Sequence, residues 1–170
     1  MSHSLENADT DSLAAAIVKR LTELGATIAT AESCTGGLLA ATLTEIPGAS
    51  AVLGYGWVTY SAAAKMRELG VPPSLIEAHT VVSEPVVEAM ARSAADKAKA
   101  AYAIAISGNA GPTAPPGEPP VGSVCIAIAY GSSITSTSLY RPGLSRSSFR
   151  RFVVHQSLLL LHRLLPSPLP

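Results

Sequence analysis

The sequence predicts an α/β fold, a single domain built on a mixed β-sheet with helices on both faces. Three observations carry this. Segments with helical spacing alternate with short strand-like segments, the pattern of a sheet covered by helices. Hydrophobic residues make up 48% of the 170 residues and charged residues only 14%, which suits extensive burial and argues against disorder. No internal repeat and no break in composition divides the chain, and its length suits one domain of ~100–200 residues. The expected boundaries are a disordered tail at 1–10 and one domain at 11–165.

Each element has its own signal. Residues 11–24, "DSLAAAIVKRLTEL", set Leu13, Ile17, Leu21 and Leu24 at helical spacing, and Gly25 ends the run. "ATIATAE" reads as a short buried strand. "LLAATLTEI" follows Gly36 and Gly37 as a helix that stops before Pro47. "AVLGYGWVTY" at 51–60 is rich in aromatic and β-branched residues, as strands are, with Gly54 and Gly56 placed for bulges. "SAAAKMRELG" is a short helix with Ser61 as its cap and Gly70 as its stop. "SLIEAH" adds one or two turns. "SEPVVEAMARSAADKAKA" is a long amphipathic helix with Ser83 as cap and Pro85 in its first turn. "AYAIAIS" at 101–107 is a buried strand. Residues 108–120, "GNAGPTAPPGEPP", contain three glycines and five prolines and form a loop. "VGSVCIAIAY" and "ITSTSLY" make a hairpin about "GSS". The last segment, "SRSSFRRF" through "LLPS", is a helix capped by Ser145. The predicted order is α-β-α-β-α-α-β-β-β-α.

Composition excludes several classes of partner. Lys plus Arg and Asp plus Glu each number 12, so the zero net charge gives no footprint for nucleic acid or an anionic membrane. The longest apolar run, "LLLL" at 158–161, falls far short of the ~20 residues of a spanning helix. Cys34 and Cys125 lie far apart, and the polar start "MSHSLENADTDS" lacks the apolar core of a signal peptide. Together these predict a cytoplasmic protein. The last helix is apolar over too much of its surface for a lone amphipathic helix. It is therefore expected to pack on the sheet and to contribute to a homo-oligomer interface.

The segment "TAESCTGG" at 30–37 is the first candidate site. It lies where a strand turns into a helix, and ligands of open α/β sheets bind beyond the carboxyl ends of strands. The first-turn N–H groups of a helix can hold an anion or stabilise developing negative charge. Gly36 and Gly37 would let a ligand approach the backbone, and Thr35 stands beside them. Serine and threonine at such places also serve as plain helix caps. Cys34 has no histidine near it in sequence, and buried cysteines are usually inert. "SGNAG", with Ser107, Gly108, Ala110 and Gly111, follows a strand and offers backbone N–H groups as phosphate loops do, or is a plain turn. A "GxxxxGK" loop is absent, so nucleoside triphosphates are not indicated.

The blocks "TAESCTGG", "VTYSAAAK", "VSEPVVEAMA", "ISGNAGP" and "PPVGSV" occur in that order. Together they resemble the CinA C-terminal-domain family, the competence/damage-inducible protein domain, from about residue 10 to 162. The resemblance implies a three-layer α/β/α sandwich. It implies hydrolysis of the carboxamide of nicotinamide mononucleotide to nicotinate mononucleotide and ammonia, a small-molecule reaction of pyridine nucleotide salvage. It implies no metal and no other cofactor. The family's site residues carry over to Ser33, Ser50, Tyr60, Lys65 and Arg150, with Ser107 where threonine or serine is usual. Departures from the family pattern are Ala62 and Ala63 in "YSAAAK" and Asn109, Thr113, Ala114 and Pro115 in "GNAGPTAP". Ser145 and Ser147 flank Arg146 where an acidic residue is common.

Amide hydrolysis needs a nucleophile, a base, an oxyanion site and a proton for the leaving amine. No Ser-His-Asp set is visible, and His3, His79, His155 and His162 lack metal-ligand spacing. A lysine can serve as base where burial lowers its proton affinity, and Lys65 suits this. Tyr60 is close enough in sequence to hydrogen-bond Lys65 or the substrate. Ser33 and Ser50 both fit the attack, singly or in a relay, and a hydroxyl-activated water is a further route. Arg150 is expected to clamp a phosphate by bidentate contact, while Glu32 either faces the pyridinium or is structural. Two alternatives stand beside the amidohydrolase. One is a binding or interaction domain that keeps the pocket without turnover. The other is a Ser/Lys hydrolase of another small amide.

Overall fold

The computed structural model describes residues 8–167. The elements are α1 (Thr10–Glu23), β1 (Ile28–Glu32), α2 (Leu38–Thr44), β2 (Leu53–Val58), α3 (Ala62–Leu69), α4 (Pro73–His79), α5 (Glu84–Ala98), β3 (Tyr102–Gly108), β4 (Ser123–Tyr130), β5 (Ser133–Tyr140) and α6 (Arg146–Leu164), with a 3-10 turn at Ala49–Ala51 before β2. The chain is α/β, as the sequence predicts. One five-stranded sheet runs in the order β2-β1-β3-β4-β5. β1 pairs in parallel with β2 and β3, and β3, β4 and β5 are antiparallel. The three parallel strands therefore end at the same edge of the sheet, and that edge carries the site.

Strand alternation sorts the core into two unlike layers. Ile28, Ile104, Ile106, Ile126 and Ile128 fill one face, under Leu13, Ile17 and Leu21 of α1, Leu39 of α2 and Phe149 and Val153 of α6. Ala29, Ala31, Ala103, Ala105, Ala127 and Ala129 line the other, against Val87, Met90, Ala91 and Ala94 of α5. Small side chains on both partners let α5 approach the sheet closely, whereas the isoleucine face needs the bulk of its layer to reach three helices.

Local signals mostly act where the sequence places them. Ser61 Oγ accepts from Ala64 N at 3.1 Å, and Ser145 Oγ from Ser148 N at 3.2 Å. The β1–β2 register shifts between Ile28 and Ala29, opposite Leu53 and Tyr55, so Gly54 is a bulge. Gly56 is no bulge; a Cβ there would stand 2.9 Å from Thr30 Oγ1, so the position needs a bare backbone.

Two expectations are corrected. Residues 8–10 are not tail: Thr10 opens α1, and Asp9 Oδ1 caps it by accepting from Ser12 N at 2.8 Å. The rest of the expected tail, 1–7, lies outside the described residues. Ser83 does not cap α5 with its side chain; its Oγ donates to Thr80 O at 3.0 Å. As expected, α6 packs on the sheet: Phe149, Val153, Val154, Leu158, Leu159 and Leu161 are buried within this chain, while Phe152, Leu160 and Leu164 are partly buried. The exposed large apolar residues are Leu24, Tyr55, Val58, Tyr60 and Tyr140, none on α6. No helix of the described residues is long and apolar enough to cross a membrane.

Candidate active site

Register brings the key residues to one level. Ala31 lies opposite Ala105, and Glu32 opposite Val58. Ser33, Thr59 and Ser107 therefore sit side by side just past the ends of β1 and β2 and near the end of β3, on the alanine face. The α3 helix delivers Lys65 to them. Its side chain is 1% exposed, and Nζ donates to Ser33 Oγ and to the Thr59 carbonyl, both at 2.9 Å. Burial lowers the Lys65 amine from its ordinary value to about 8, against an opposing pull from Cys34 and Glu118. On losing its proton, the amine can keep one N–H on the Thr59 carbonyl and turn its lone pair to the Ser33 hydroxyl. The neighbouring thiol behaves oppositely: burial pushes Cys34 up to about 12, so it stays protonated and inert.

Glu32 has a structural role that removes one predicted anion site. It is fully buried, and its carboxylate accepts from the N–H groups of Gly37 at 3.1 Å, Leu39 at 3.0 Å and Ala40 at 2.9 Å. These are the α2 first-turn donors that the sequence assigned to a ligand, so the carboxylate of this chain occupies them. Gly36 N is also engaged, donating to Ser33 O at 2.9 Å. The Cys34 and Thr35 N–H groups have no acceptor among the described residues, and they directly follow Ser33.

The expected "SGNAG" phosphate cradle is only partly available. Ser107 and Gly108 continue β3 in register with Cys125 and Val124, and Asn109 N donates to Ser123 O at 2.8 Å. The first half of the segment, Ser107 to Asn109, is thus tied into the sheet and offers no free N–H groups to a cradle, while the Ala110 and Gly111 N–H groups have no acceptor among the described residues. Ser107 Oγ donates to Val81 O at 2.7 Å, Ala110 is packed into the isoleucine-side core, and Gly111 O accepts from Arg146 Nη1 at 2.6 Å.

Ser50 does not join the site. It is exposed on the Ala49–Ala51 turn that precedes β2, at the amino edge of the sheet. Ser33 follows the carboxyl end of β1, so the length of a strand, roughly 15 Å at ~3.3 Å per residue, separates them. A Lys65–Ser33–Ser50 relay cannot form within one chain. Tyr60 is 58% exposed, and its hydroxyl accepts from Arg146 Nη2 at 2.6 Å rather than from Lys65. Arg150 Nη2 donates to Thr35 O at 2.6 Å, so one arm of the expected clamp holds the loop. Arg150 Nε and the hydroxyls of Thr35 and Thr59 are buried without a partner among the described residues. These are groups that a bound ligand or water would satisfy.

Three contributors escape sequence reasoning: Thr59, which supplies a carbonyl rather than a side chain; Arg146, which holds Tyr60; and Glu118, whose carboxylate accepts from Val81 N at 3.0 Å and Val82 N at 3.2 Å. Only Thr59 had a usable signal, its place at the end of a strand beside Ser33's strand.

A mixed-sheet α/β domain with a desolvated lysine held against a serine at the end of a central strand is the class of protein these features define. The family model described as the CinA C-terminal domain matches residues 10–165, and the chain belongs to that family. It is 46% identical over 147 residues to a CinA-like protein of Akkermansia muciniphila, covering 86% of this chain and 36% of that protein. It is 49% identical over 125 residues to a putative competence-damage inducible protein of Symbiobacterium thermophilum, covering 74% and 29%. The chain thus spans about a third of the length of these curated relatives. Among solved structures, the competence or damage-inducible protein of Enterobacter asburiae superposes with a TM-score of 0.91 at 36% identity, over 94% of this chain and 100% of that one. The competence/damage inducible protein CihA of Agrobacterium tumefaciens gives 0.89 at 37%, over 92% and 96%.

Proposed function

We propose that the chain is an amidohydrolase that converts nicotinamide mononucleotide to nicotinate mononucleotide and ammonia, with Ser33 as nucleophile and Lys65 as base. The observation that carries the reaction type is the 2.9 Å contact between a buried lysine amine and a serine hydroxyl. The substrate comes from the family resemblance. The neutral Lys65 amine takes the Ser33 proton as Oγ attacks the carboxamide carbon. Negative charge gathers on the carboxamide oxygen, where the Cys34 and Thr35 N–H groups are the nearest free backbone donors. Lys65 then gives its proton to the departing nitrogen, and ammonia leaves. Water, deprotonated by Lys65, hydrolyses the resulting ester to the carboxylate and returns Ser33. Arg146 and Arg150 are the cations left to meet the phosphate.

A second reading has a specific observation in its favour. Glu32 fills the α2 N-terminus, and pairing to β4 and Ser123 engages the Ser107–Asn109 part of "SGNAG", so fewer backbone donors remain for an anion than the sequence predicts. That favours a Ser/Lys hydrolase of an unphosphorylated amide. Ammonia release on adding nicotinamide mononucleotide, compared with free nicotinamide, decides between them. The proposal predicts release from the mononucleotide alone. Release from nicotinamide alone supports the second reading. Saturable binding of the mononucleotide with no ammonia from either compound supports a binding domain without turnover.

A further inference from the structure

The loop from Asn109 to Gly122 is fastened at several points. Asn109 Nδ2 donates to Pro119 O at 2.6 Å, and Gly122 N donates to Asn109 O at 2.8 Å. Beside Pro119, the Glu118 carboxylate spans the N–H groups of Val81 and Val82, in the turn between α4 and α5. The carbonyl of that same Val81 accepts the Ser107 hydroxyl. Ser107 stands at the level of Ser33 on the adjoining strand. Loop, turn and the neighbour of the nucleophile are therefore one hydrogen-bonded unit, and Glu118 closes it.

We propose that Glu118 is a positioning residue of the Ser33–Lys65 site: its carboxylate fixes the Val81–Val82 turn as a wall of the site and presents an anion to the Lys65 amine. The inference rests on the Ser/Lys reading above. The ionisable groups that act on Lys65 are Cys34, from the segment after β1, and Glu118, from the loop. Cys34 remains an uncharged thiol, which leaves Glu118 as the anion. On the lysine's own helix, Arg67 and Glu68 pair with each other in solvent. Burial pulls the Lys65 amine down, and the Glu118 charge holds it from falling further. A lysine that lost its proton too readily would be a weak base toward the Ser33 hydroxyl.

The test uses Glu118→Gln and Glu118→Asp. Two quantities are read: the titration midpoint of the Lys65 amine by nuclear magnetic resonance on the specifically labelled lysine, and the acid limb of kcat/KM for ammonia release. Glu118→Gln is expected to move both to lower pH by the same amount, of order ~0.5 pH unit. Glu118→Asp keeps the charge but shortens the reach. It is expected to leave the midpoint in place while kcat/KM falls about tenfold through the loosened wall. The proposal is overturned if folded Glu118→Gln shows an unmoved Lys65 midpoint, whatever its rate. If the unmodified protein releases no ammonia, the amidohydrolase reading fails by itself, while the Lys65 midpoint still decides the role of Glu118.

Discussion

Ser33→Ala is expected to lower kcat for ammonia release by about a thousandfold or more, with the fold unchanged by circular dichroism. Removing the attacking atom of an acyl-transfer enzyme leaves only oxyanion stabilisation and binding. The substitution deletes one oxygen from a residue already 7% exposed, so little packing is lost. Ser50→Ala is the matched comparison. Ser50 is exposed at the far edge of the sheet, and its variant is expected to stay within about twofold of the parent. The reverse ranking, with Ser50→Ala inactive and Ser33→Ala active, would remove Ser33 from the chemistry. Near-parental activity in both would remove serine attack altogether and leave a lysine-activated water.

Lys65→Met separates a catalytic lysine from a structural one, because the two make opposite predictions about stability. As a base, its loss is expected to lower kcat about 10²–10⁴-fold. The folded amine titrates near 8 and the free side chain near 10.5, so the unfolded chain binds the extra proton between those values. The parent protein is therefore least stable, as far as this group is concerned, below pH 8. It gains stability as pH rises from 8 to 10.5. Methionine carries no charge to desolvate and keeps most of the volume. The variant is expected to be more stable at pH 7 by about 1–3 kcal/mol, less what the unpaired Thr59 carbonyl costs, with the advantage fading by pH 10.5. Urea denaturation at pH 7 and pH 10 measures it. Lower stability at both values would make Lys65 a structural tether.

How much of this was legible in the sequence depended on the range of the interactions. Capping and termination are local, so Ser61, Gly70 and Ser145 act where the spacing places them, and the Gly54 bulge was signalled by a glycine in a strand. Ser83 failed as a cap because its hydroxyl found the Thr80 carbonyl instead, a competition that spacing does not reveal. The apolar character of α6 was plain, and so was its packing on the sheet. A helix apolar over a wide arc can serve a neighbour in its own chain and a second copy, and here α1 and the isoleucine face cover most of it. At the site, Lys65 and Ser33 were legible as types and their meeting was not, because 32 residues separate them and only the parallel β1–β2 pairing joins them. Ser50 misled for the same reason: proximity along the chain to β2 says nothing about which end of the sheet it occupies. Of the two roles open to Glu32, the structural one holds: a buried carboxylate takes the nearest donors, and those are the helix N–H groups five to eight residues on.

The central claim is that a buried, easily deprotonated lysine holds the Ser33 hydroxyl. Following the side-chain carbon next to the Lys65 amine by nuclear magnetic resonance, in protein labelled at lysine and assigned with Lys65→Met, reads that proton directly. The account predicts a midpoint near 8 that is present without any substrate. A midpoint at the ordinary lysine value, about 10.5, would contradict it and leave Ser33 without its base.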